Sequence, residues 1–343
     1  MTHPANTEQG GSSSSLVEWH LPRVVRPSAY STYDYALVIL NQPVGNEPLF
    51  DELWSGASER VAADGGANRV LQLSKRKEKQ QQQQQTPSSS SGGWYRDLDT
   101  IIGDLDSLTD EARSFFSSPL PATVQTSTDR NDDTQHRPSR TCDIIHDPDQ
   151  YSTDFTKAVR HVRAKAQSSR STSHNGVGGD SDSSSKLPPP SLPPRDIICL
   201  GGLGGRVDQG LSQLHHLYLF QQDAGSYERE GRIFLLSEEG LTFLLQGGKT
   251  HRIHVRASSS SSSSSSEADK KASAFAKHVG ILPIREPSVI STRGLEWDVQ
   301  DWKTEFGGQV STSNHVVADV VEVWTTRDVL FTIALKRDDG YDD

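Results

Sequence analysis

The chain has 343 residues, with 35 Lys and Arg against 45 Asp and Glu, so its formal net charge is −10. An acidic balance with no basic run longer than Lys75-Arg76-Lys77 argues against a nucleic-acid-binding protein. The two cysteines, Cys142 and Cys199, are too few for a disulfide framework. No apolar stretch is long enough to span a membrane, so we expect a soluble protein of a reducing compartment, the cytoplasm.

Polar, low-complexity tracts explain why only 33% of the residues are hydrophobic. Because such tracts bury too little apolar surface to offset the entropy of ordering, we expect them to be disordered. They are an N-terminal tail over residues 1–30 and insertions near residues 75–93, 125–140, 167–194 and 257–271.

Strand-like and helix-like patterns alternate in the first half of the chain. We predict strands over residues 36–40, 61–63, 100–102 and 196–200, and helices over residues 50–55, 68–74, 109–116, 155–166 and 209–222. This alternation, with short apolar strands, predicts a mainly parallel, Rossmann-like α/β domain over residues 31–226. Ligands of such domains bind beyond the carboxyl ends of the strands.

The second half contains short strand-like runs and turn residues instead. We predict strands over residues 233–237, 242–246, 251–256, 278–283, 288–292, 316–325 and 329–335. Short strands at this spacing predict an antiparallel β-sandwich over residues 231–343, with the domain boundary near residues 224–231.

A pair of aspartates follows the third predicted strand. Asp104 and Asp106 are two residues apart, so in an extended chain their carboxylates point to the same side. Two like charges this close are costly without a cation between them. Mg²⁺, which prefers oxygen ligands, is the usual solution.

Three further polar segments stand before predicted helices. They contain Asp64, Gly65, Gly66 and Asn68; Thr153 and Asp154; and Gly202, Gly204, Gly205, Arg206 and Asp208. Backbone N–H groups at a helix start can receive phosphate, and glycine permits a close approach of the backbone. Acidic ligands, glycines and an arginine together suit a site for magnesium and a polyphosphate.

In this order the segments resemble those of the eukaryotic thiamine pyrophosphokinase family. The chain carries D-G-G-A-N from Asp64, G-D-L-D-S from Gly103, T-D-F-T-K from Thr153 and G-G-L-G-G-R-V-D-Q from Gly201. T-R-G-L-E-W and V-S-T-S-N nearer the C-terminus resemble the family's thiamine-side segments.

The resemblance implies an α/β pyrophosphokinase domain followed by a β-sandwich thiamine-binding domain, arranged as a homodimer. The implied reaction is attack of the thiamine hydroxyl on the β-phosphorus of ATP, which gives thiamine diphosphate and AMP. Mg²⁺ would be held by Asp104, Asp106 and Asp154, and Arg206 would bind phosphate. The proton acceptor is Asp106 or Asp154, and the sequence does not choose between them.

Thiamine has a cationic thiazolium ring and a flat pyrimidine ring, and an aromatic face suits both. By resemblance, the side chain that supplies this face is Trp297, with Ser311, Ser313 and Asn314 as polar neighbours.

Two other functions remain open from the residues. The first is a different enzyme with an Asp-x-Asp motif, either a phosphohydrolase or a nucleotide-sugar transferase, which would leave the thiamine-side segments unexplained. The second is a non-catalytic sensor of thiamine or nucleotide.

Overall fold

A computed structural model of the chain describes residues 15–30, 32–83, 94–119, 141–174, 194–223, 225–256 and 274–336. The strands are β1 (Leu16–His20), β2 (Tyr35–Ile39), β3 (Glu59–Ala63), β4 (Thr100–Gly103), β5 (Asp143–His146), β6 (Asp196–Leu200), β7 (Ile233–Leu236), β8 (Gly240–Leu245), β9 (Lys249–His254), β10 (Phe275–Leu282), β11 (Ser288–Arg293), β12 (Trp302–Thr304), β13 (Ser311–His315), β14 (Val320–Thr325) and β15 (Val329–Leu335). The α-helices are α1 (Leu21–Val25), α2 (Glu47–Gly56), α3 (Gly66–Gln83), α4 (Asp110–Ser117), α5 (Asp154–His174), α6 (Val207–Phe220) and α7 (Ser226–Glu230).

The chain forms two compact units. The α/β unit is Arg23–Phe243, and the β unit is Leu244–Lys336 together with the segment that ends at Pro22. Our predicted boundary near residues 224–231 differs from this division, because β7 and β8 pair with each other beside β6 and stay in the α/β unit.

Six strands of the α/β unit are parallel, in the order β7-β6-β2-β3-β4-β5, and β8 is antiparallel to β7. Every residue of β2, β3 and β6 is buried, as expected for strands covered on both faces. The strand order reverses at β2, whose neighbours are β3 and β6. Loops leaving the carboxyl ends of β2 and β6 therefore diverge there and open a crevice.

The strands of the β unit form two groups, β1-β9-β14-β11-β12 and β13-β10-β15. All their pairings are antiparallel except the parallel pair of β1 and β9. Burial alternates along β9 and β14, so each buries one face. The predicted fold class, α/β followed by an antiparallel β-sandwich, is confirmed.

The predicted N-terminal tail over residues 1–30 differs from the structure. Residues 16–20 form β1, whose Val17 and Trp19 are buried, and α1 follows at once. The alternation L-V-E-W-H is the sequence signal for this strand. Pairing with β9 provides hydrogen-bond partners for the backbone groups on one side of it.

Two of the predicted insertions begin as helix. α3 continues through residues 75–83, because Lys, Glu and Gln are good helix formers, and α5 continues to His174. The rest of these insertions, apart from residue 194, and all of residues 125–140 and 257–271 lie outside the described residues. None of the described helices combines the length and the hydropathy needed to cross a bilayer.

Candidate active site

The loop after β3 places Asp64 at the carboxyl edge of the parallel sheet. Asp64 has a positive φ of 40°, and its N–H donates to Ile102 O of β4 at 2.9 Å. Gly66 begins α3 so close to β2 that a Cβ would lie 2.2 Å from Ile39 O. The D-G-G segment is thus a tight strand-to-helix turn whose carboxylate is 2% exposed.

The loop after β4 carries Asp104 and Asp106 on either side of Leu105, whose φ is 63°. Asn68 clamps this loop to α3. Its Nδ2 donates to Ser107 O at 2.7 Å, and its Oδ1 accepts from the N–H and hydroxyl of Thr109 at 3.1 and 2.9 Å. In this structure Asn68 positions the acidic loop, since each of its polar side-chain atoms has a partner there.

Three carboxylates converge at this edge. One oxygen each from Asp64, Asp104 and Asp106 lies within 4.8 Å of the others. This group differs from the predicted set of Asp104, Asp106 and Asp154, because Asp64 takes the third position. β3 is the direct neighbour of β4, so the ends of these strands meet.

Asp154 lies beside this group at the start of α5. Its Oδ1 accepts from the Asp104 N–H and from Lys157 Nζ, each at 3.3 Å. Gly103 leaves room for both acidic residues, since a Cβ there would lie 2.7 Å from Asp64 Cβ and 2.8 Å from Asp154 Oδ1.

The surroundings shift the pKa of these carboxyl groups in different directions. Burial raises the pKa of Asp64, with a further increase from nearby Asp154. Burial also raises the pKa of Asp154, against the lowering effect of Lys157. The pKa of Asp104 is lowered, first by the hydrogen bond that it accepts from the Asp106 N–H at 3.2 Å.

The donor set fits a hard divalent cation such as Mg²⁺. Asp64 Oδ2 accepts from the Ser107 N–H at 3.1 Å, whereas the buried Oδ1 has no hydrogen-bond partner among the described residues. An unpartnered buried carboxylate oxygen is costly, and a cation would satisfy it while offsetting the repulsion among the three charges. All three ligands are oxygen donors, as Mg²⁺ prefers.

Lys157 is a functional candidate that our sequence reasoning missed. Its side chain is buried, and Nζ donates to Asp147 O at 2.9 Å as well as to Asp154. The i, i+3 spacing of Asp154 and Lys157 on a helix is the signal that indicates this pair.

The hydroxyl of Thr153, a predicted phosphate ligand, is bonded within the fold. It accepts from the Thr156 N–H at 3.2 Å and lies 3.2 Å from His216 Nε2. His216 is buried between α5 and α6, and burial lowers its pKa, so this histidine is neutral and structural.

The glycine-rich loop runs from β6 to α6. Gly201, Gly204 and Gly205 have φ values of 84°, 133° and 66°, which explains the need for glycine. At Gly202 a Cβ would be only 3.4 Å from Leu40 Cδ1, so this residue lies against the end of β2. Arg206 follows, exposed, and bonds both oxygens of Asp208 at 3.1 and 2.6 Å.

Asn41 and Gln42 follow β2 and lie between the D-G-G turn and the glycine-rich loop. Asn41 contacts Gly65, and Gln42 contacts Gly201 and Gly205. No motif marks these residues in the sequence. Beside them a cavity of about 270 Å³ opens at the reversal of the strand order. Its lining is mixed, and includes apolar Val44, Leu49, Leu200 and Leu203 and polar Asn46 and Ser237.

The predicted thiamine-side residues lie together in the β unit. Trp297 is 55% exposed, and its ring centroid is 5.0 Å from that of His315. Buried Asn314 accepts from the Trp297 N–H at 3.1 Å and donates to Trp297 O at 2.9 Å, so it holds the tryptophan in place. Ser311 and Ser313 are on the same strand, β13, and Ser313 is exposed with a φ of 56°.

Comparison with known proteins agrees with this arrangement. The family model described as "Thiamin pyrophosphokinase, catalytic domain" matches residues 50–226, more than half of the chain. The chain belongs to the thiamin pyrophosphokinase family. The model of the family's vitamin B1 binding domain matches residues 250–330. Membership makes the chain a transferase of thiamine diphosphate synthesis.

Relatives of the thiamin pyrophosphokinase family align with nearly the whole chain. Thiamine pyrophosphokinase 3 of Oryza sativa subsp. japonica is 31% identical over 310 residues, which are 88% of each protein. Thiamine pyrophosphokinase of Saccharomyces cerevisiae is 27% identical over 304 residues, 82% of this chain and 79% of the relative.

Solved structures of thiamin pyrophosphokinases share the fold. The yeast enzyme superposes with a TM-score of 0.65 at 23% identity, covering 98% of this chain and 96% of that one. The Candida albicans protein gives 0.61 at 22% identity, covering 94% and 93%.

Proposed function

We propose that the chain transfers the pyrophosphoryl group of ATP to the hydroxyl of thiamine, with Mg²⁺, to give thiamine diphosphate and AMP. The observation that carries this proposal is the convergence of Asp64, Asp104 and Asp106 within 4.8 Å, with one buried carboxylate oxygen unpartnered. Such a site attracts a dication, and a dication attracts polyphosphate.

Asp64, Asp104 and Asp106 would hold the ion, with Asn68 and Gly103 fixing their loop. When bound, Mg²⁺ neutralises charge on the phosphate oxygens and stabilises the charge that develops during transfer. Arg206 already forms a two-pronged bond with the carboxylate of Asp208, and the same planar fork fits a phosphate. We infer that phosphate competes with Asp208 for this arginine.

Asp154 is the better of the two candidates for the proton acceptor. It lies outside the group of three carboxylates, whereas Asp106 belongs to it. Burial raises the pKa of Asp154, and a base with a raised pKa accepts a proton more readily. Lys157 fixes the position of this carboxylate.

The cavity at the reversal of the strand order suits the nucleobase of ATP. Apolar side chains line it beside polar Asn46 and Ser237 and acidic Glu238 and Glu239, and the glycine-rich loop forms one wall. Gly204 and Gly205 expose their backbone N–H groups to a phosphate chain, because neither has a side chain to block the approach.

Thiamine would stack on the exposed face of Trp297. The ring attracts the thiazolium charge, and Asn314 keeps the ring in its orientation. Ser311 and Ser313 remain candidates for hydrogen bonds to the aminopyrimidine.

The test is product analysis. Thiamine, ATP and Mg²⁺ are incubated with the protein, with Asp104→Ala and with Asp110→Asn, an exposed acidic residue of α4 that serves as the control. We expect equal amounts of thiamine diphosphate and AMP from the native protein and the control. Asp104→Ala, or a chelator, should abolish both products.

Other products would contradict the proposal in distinct ways. Thiamine monophosphate with ADP would mean attack on the γ-phosphorus, and free phosphate alone would indicate a phosphohydrolase. Binding of both substrates without any product would indicate a sensor.

A homodimer, supported by the family resemblance, and a cytoplasmic location, supported by the free cysteines Cys142 and Cys199, are also proposals. Light scattering on the purified chain should give twice the 37.7 kDa monomer mass. Fractionation of cells that express the chain should place it with cytoplasmic markers, and a monomer or a membrane-bound pool would contradict these proposals.

A further inference from the structure

A second cluster of possible metal ligands lies on the outer face of the β unit. The parallel pairing of β1 with β9 sets His20 directly opposite His254, and Glu18 opposite Arg252. Val17 and Trp19 of β1 point into the core, so Glu18 and His20 share the other face. Two histidines and a glutamate from chain segments over 230 residues apart are thereby neighbours.

The donor atoms of this cluster already converge. His254 Nε2 is 2.7 Å from Glu18 Oε2, and one donor atom from each of the three residues lies within 4.8 Å of the others. The rings of His20 and His254 are stacked, with centroids 4.4 Å apart. Donors around a tetrahedral Zn²⁺ are about 3.4 Å apart, given bonds of about 2.0–2.1 Å. To close this difference, both imidazole planes must turn out of their stacked arrangement so that one ring nitrogen of each faces the ion.

The glutamate is oriented by a neighbouring arginine. Arg252 donates from Nη1 to Glu18 Oε1 at 3.2 Å and from Nε to Glu322 Oε1 at 3.0 Å. This leaves Glu18 Oε2 directed at His254 Nε2, 2.7 Å away. Ligating carboxylates in metal sites are usually held by such an outer hydrogen bond.

We propose that Glu18, His20 and His254 bind a transition-metal dication of the zinc class. Two imidazoles and one carboxylate are a ligand set that selects Zn²⁺ over Mg²⁺, since imidazole nitrogen binds softer dications better. The site is therefore chemically different from the oxygen-only group of Asp64, Asp104 and Asp106. A histidine that binds a metal through Nε2 carries its ring hydrogen on Nδ1, so bonds to the ion would replace the Glu18–His254 hydrogen bond.

The ion would fasten the N-terminal strand to the β unit. Among the described strands, β1 lies at the edge of its sheet and pairs with one neighbour, β9. A metal bound by Glu18 and His20 on β1 and by His254 on β9 crosslinks the two strands and opposes the separation of β1.

Zinc titration of the full, chelator-stripped chain in millimolar Mg²⁺ tests the proposal. Magnesium fills the oxygen-only site, so calorimetry should show one zinc ion bound per chain. His20→Gln and His254→Gln should each weaken binding by at least about tenfold. His215→Gln, which removes an exposed histidine on α6, should bind zinc as the native chain does.

Hydrogen exchange of residues 16–20 gives a second measurement that does not depend on activity. Zinc should slow exchange of these amides in the native chain and leave it unchanged in His254→Gln. Circular dichroism verifies that each variant is folded. Absence of zinc binding in magnesium, or equal binding by His254→Gln and the native chain, would overturn the proposal.

Discussion

Two loops of this protein are each held by a buried or half-buried asparagine, but they differ in the charge around it. The acidic loop, residues 103–109, is clamped by Asn68, and the tryptophan loop, residues 294–298, is clamped by Asn314. Each asparagine bonds main-chain groups through both its oxygen and its nitrogen. Beside the acidic loop, however, Asp64 crowds against Asp104 and Asp106, and its buried Oδ1 is unpartnered among the described residues.

No buried side-chain oxygen or nitrogen of the tryptophan loop is unpartnered among the described residues. Asp298 accepts from the N–H groups of Gly294 and Leu295 at 2.9 and 3.1 Å and from Thr292 Oγ1 at 2.9 Å. Its functional group is an exposed ring without charge. The proposed cation site thus has unbalanced charge, whereas the proposed thiamine site stands on a loop whose carboxylate accepts three hydrogen bonds.

The largest effect should come from crowding the acidic loop. In Gly103→Ala the new Cβ meets Asp64 and Asp154, so both carboxylates move, and we expect kcat to fall by about 10²–10³-fold. Gly210→Ala on α6 is the matched control, because a Cβ there has no neighbour within 4 Å. Steady-state rates decide, and near-native activity of Gly103→Ala would show that the carboxylates are not confined.

Replacing Asn314 or Asn68 by alanine should change stability and kinetics to different extents. Asn314 is buried, so Asn314→Ala should lower the free energy of unfolding by about 2 kcal/mol and raise the KM for thiamine. Asn68 is half-buried, so water replaces part of its bonding, and Asn68→Ala should cost about 1 kcal/mol. Its main effect should be on kcat. Urea denaturation measures the stability of both variants, and initial rates measure their kcat and KM. A kcat effect in Asn314→Ala with a thiamine KM effect in Asn68→Ala would refute the assigned roles.

Loss of the exposed Trp297 ring should weaken the binding of thiamine alone. In Trp297→Ala we expect the KM for thiamine to rise about tenfold, since cation–π attraction and stacking contribute about 1–2 kcal/mol, with the KM for ATP unchanged. Trp297→Phe should recover part of the loss. Phe306→Ala removes another exposed ring of the same unit and should change neither constant.

The smallest effect should be a gain in stability. Because folding raises the pKa of Asp64, its ionisation opposes folding, and this penalty appears as the pH rises from about 4, the ordinary aspartate pKa, through the raised value. Asp64→Asn should therefore be more stable than the native chain at pH 7 by about 1 kcal/mol in chelator, and the advantage should vanish below about pH 4. Urea unfolding at the two pH values measures it, and a less stable variant at pH 7 would refute the origin of the shift.

The sequence predicted the position of Asp104 and Asp106, because an apolar strand followed by alternating acids has a local period. It did not predict that Asp64 completes the group. That depends on β3 and β4 being neighbours, which is a property of strand order rather than of spacing along the chain. For the same reason the positions of Asn41 beside Gly65 and of Gln42 beside Gly201 and Gly205 carried no sequence signal.

Roles that depend on side-chain direction were also beyond the sequence. Asn68 and Asn314 were predicted as ligand contacts, which stays a prediction, and the sequence did not indicate that their polar atoms also bond the loops. β1 was missed because five alternating residues are too few to stand out, and its partner strand lies far along the chain.

The pairing of β1 with β9 also determines when β1 can fold during synthesis. Thr250, the partner of Leu16, is made 234 residues after it. At typical rates of translation this separation corresponds to roughly 10–50 s. Throughout that interval the buried face of β1, with its tryptophan, has no sheet to join. β1 is thus synthesised well before it can pair, and its buried face is covered only once β9 has been made.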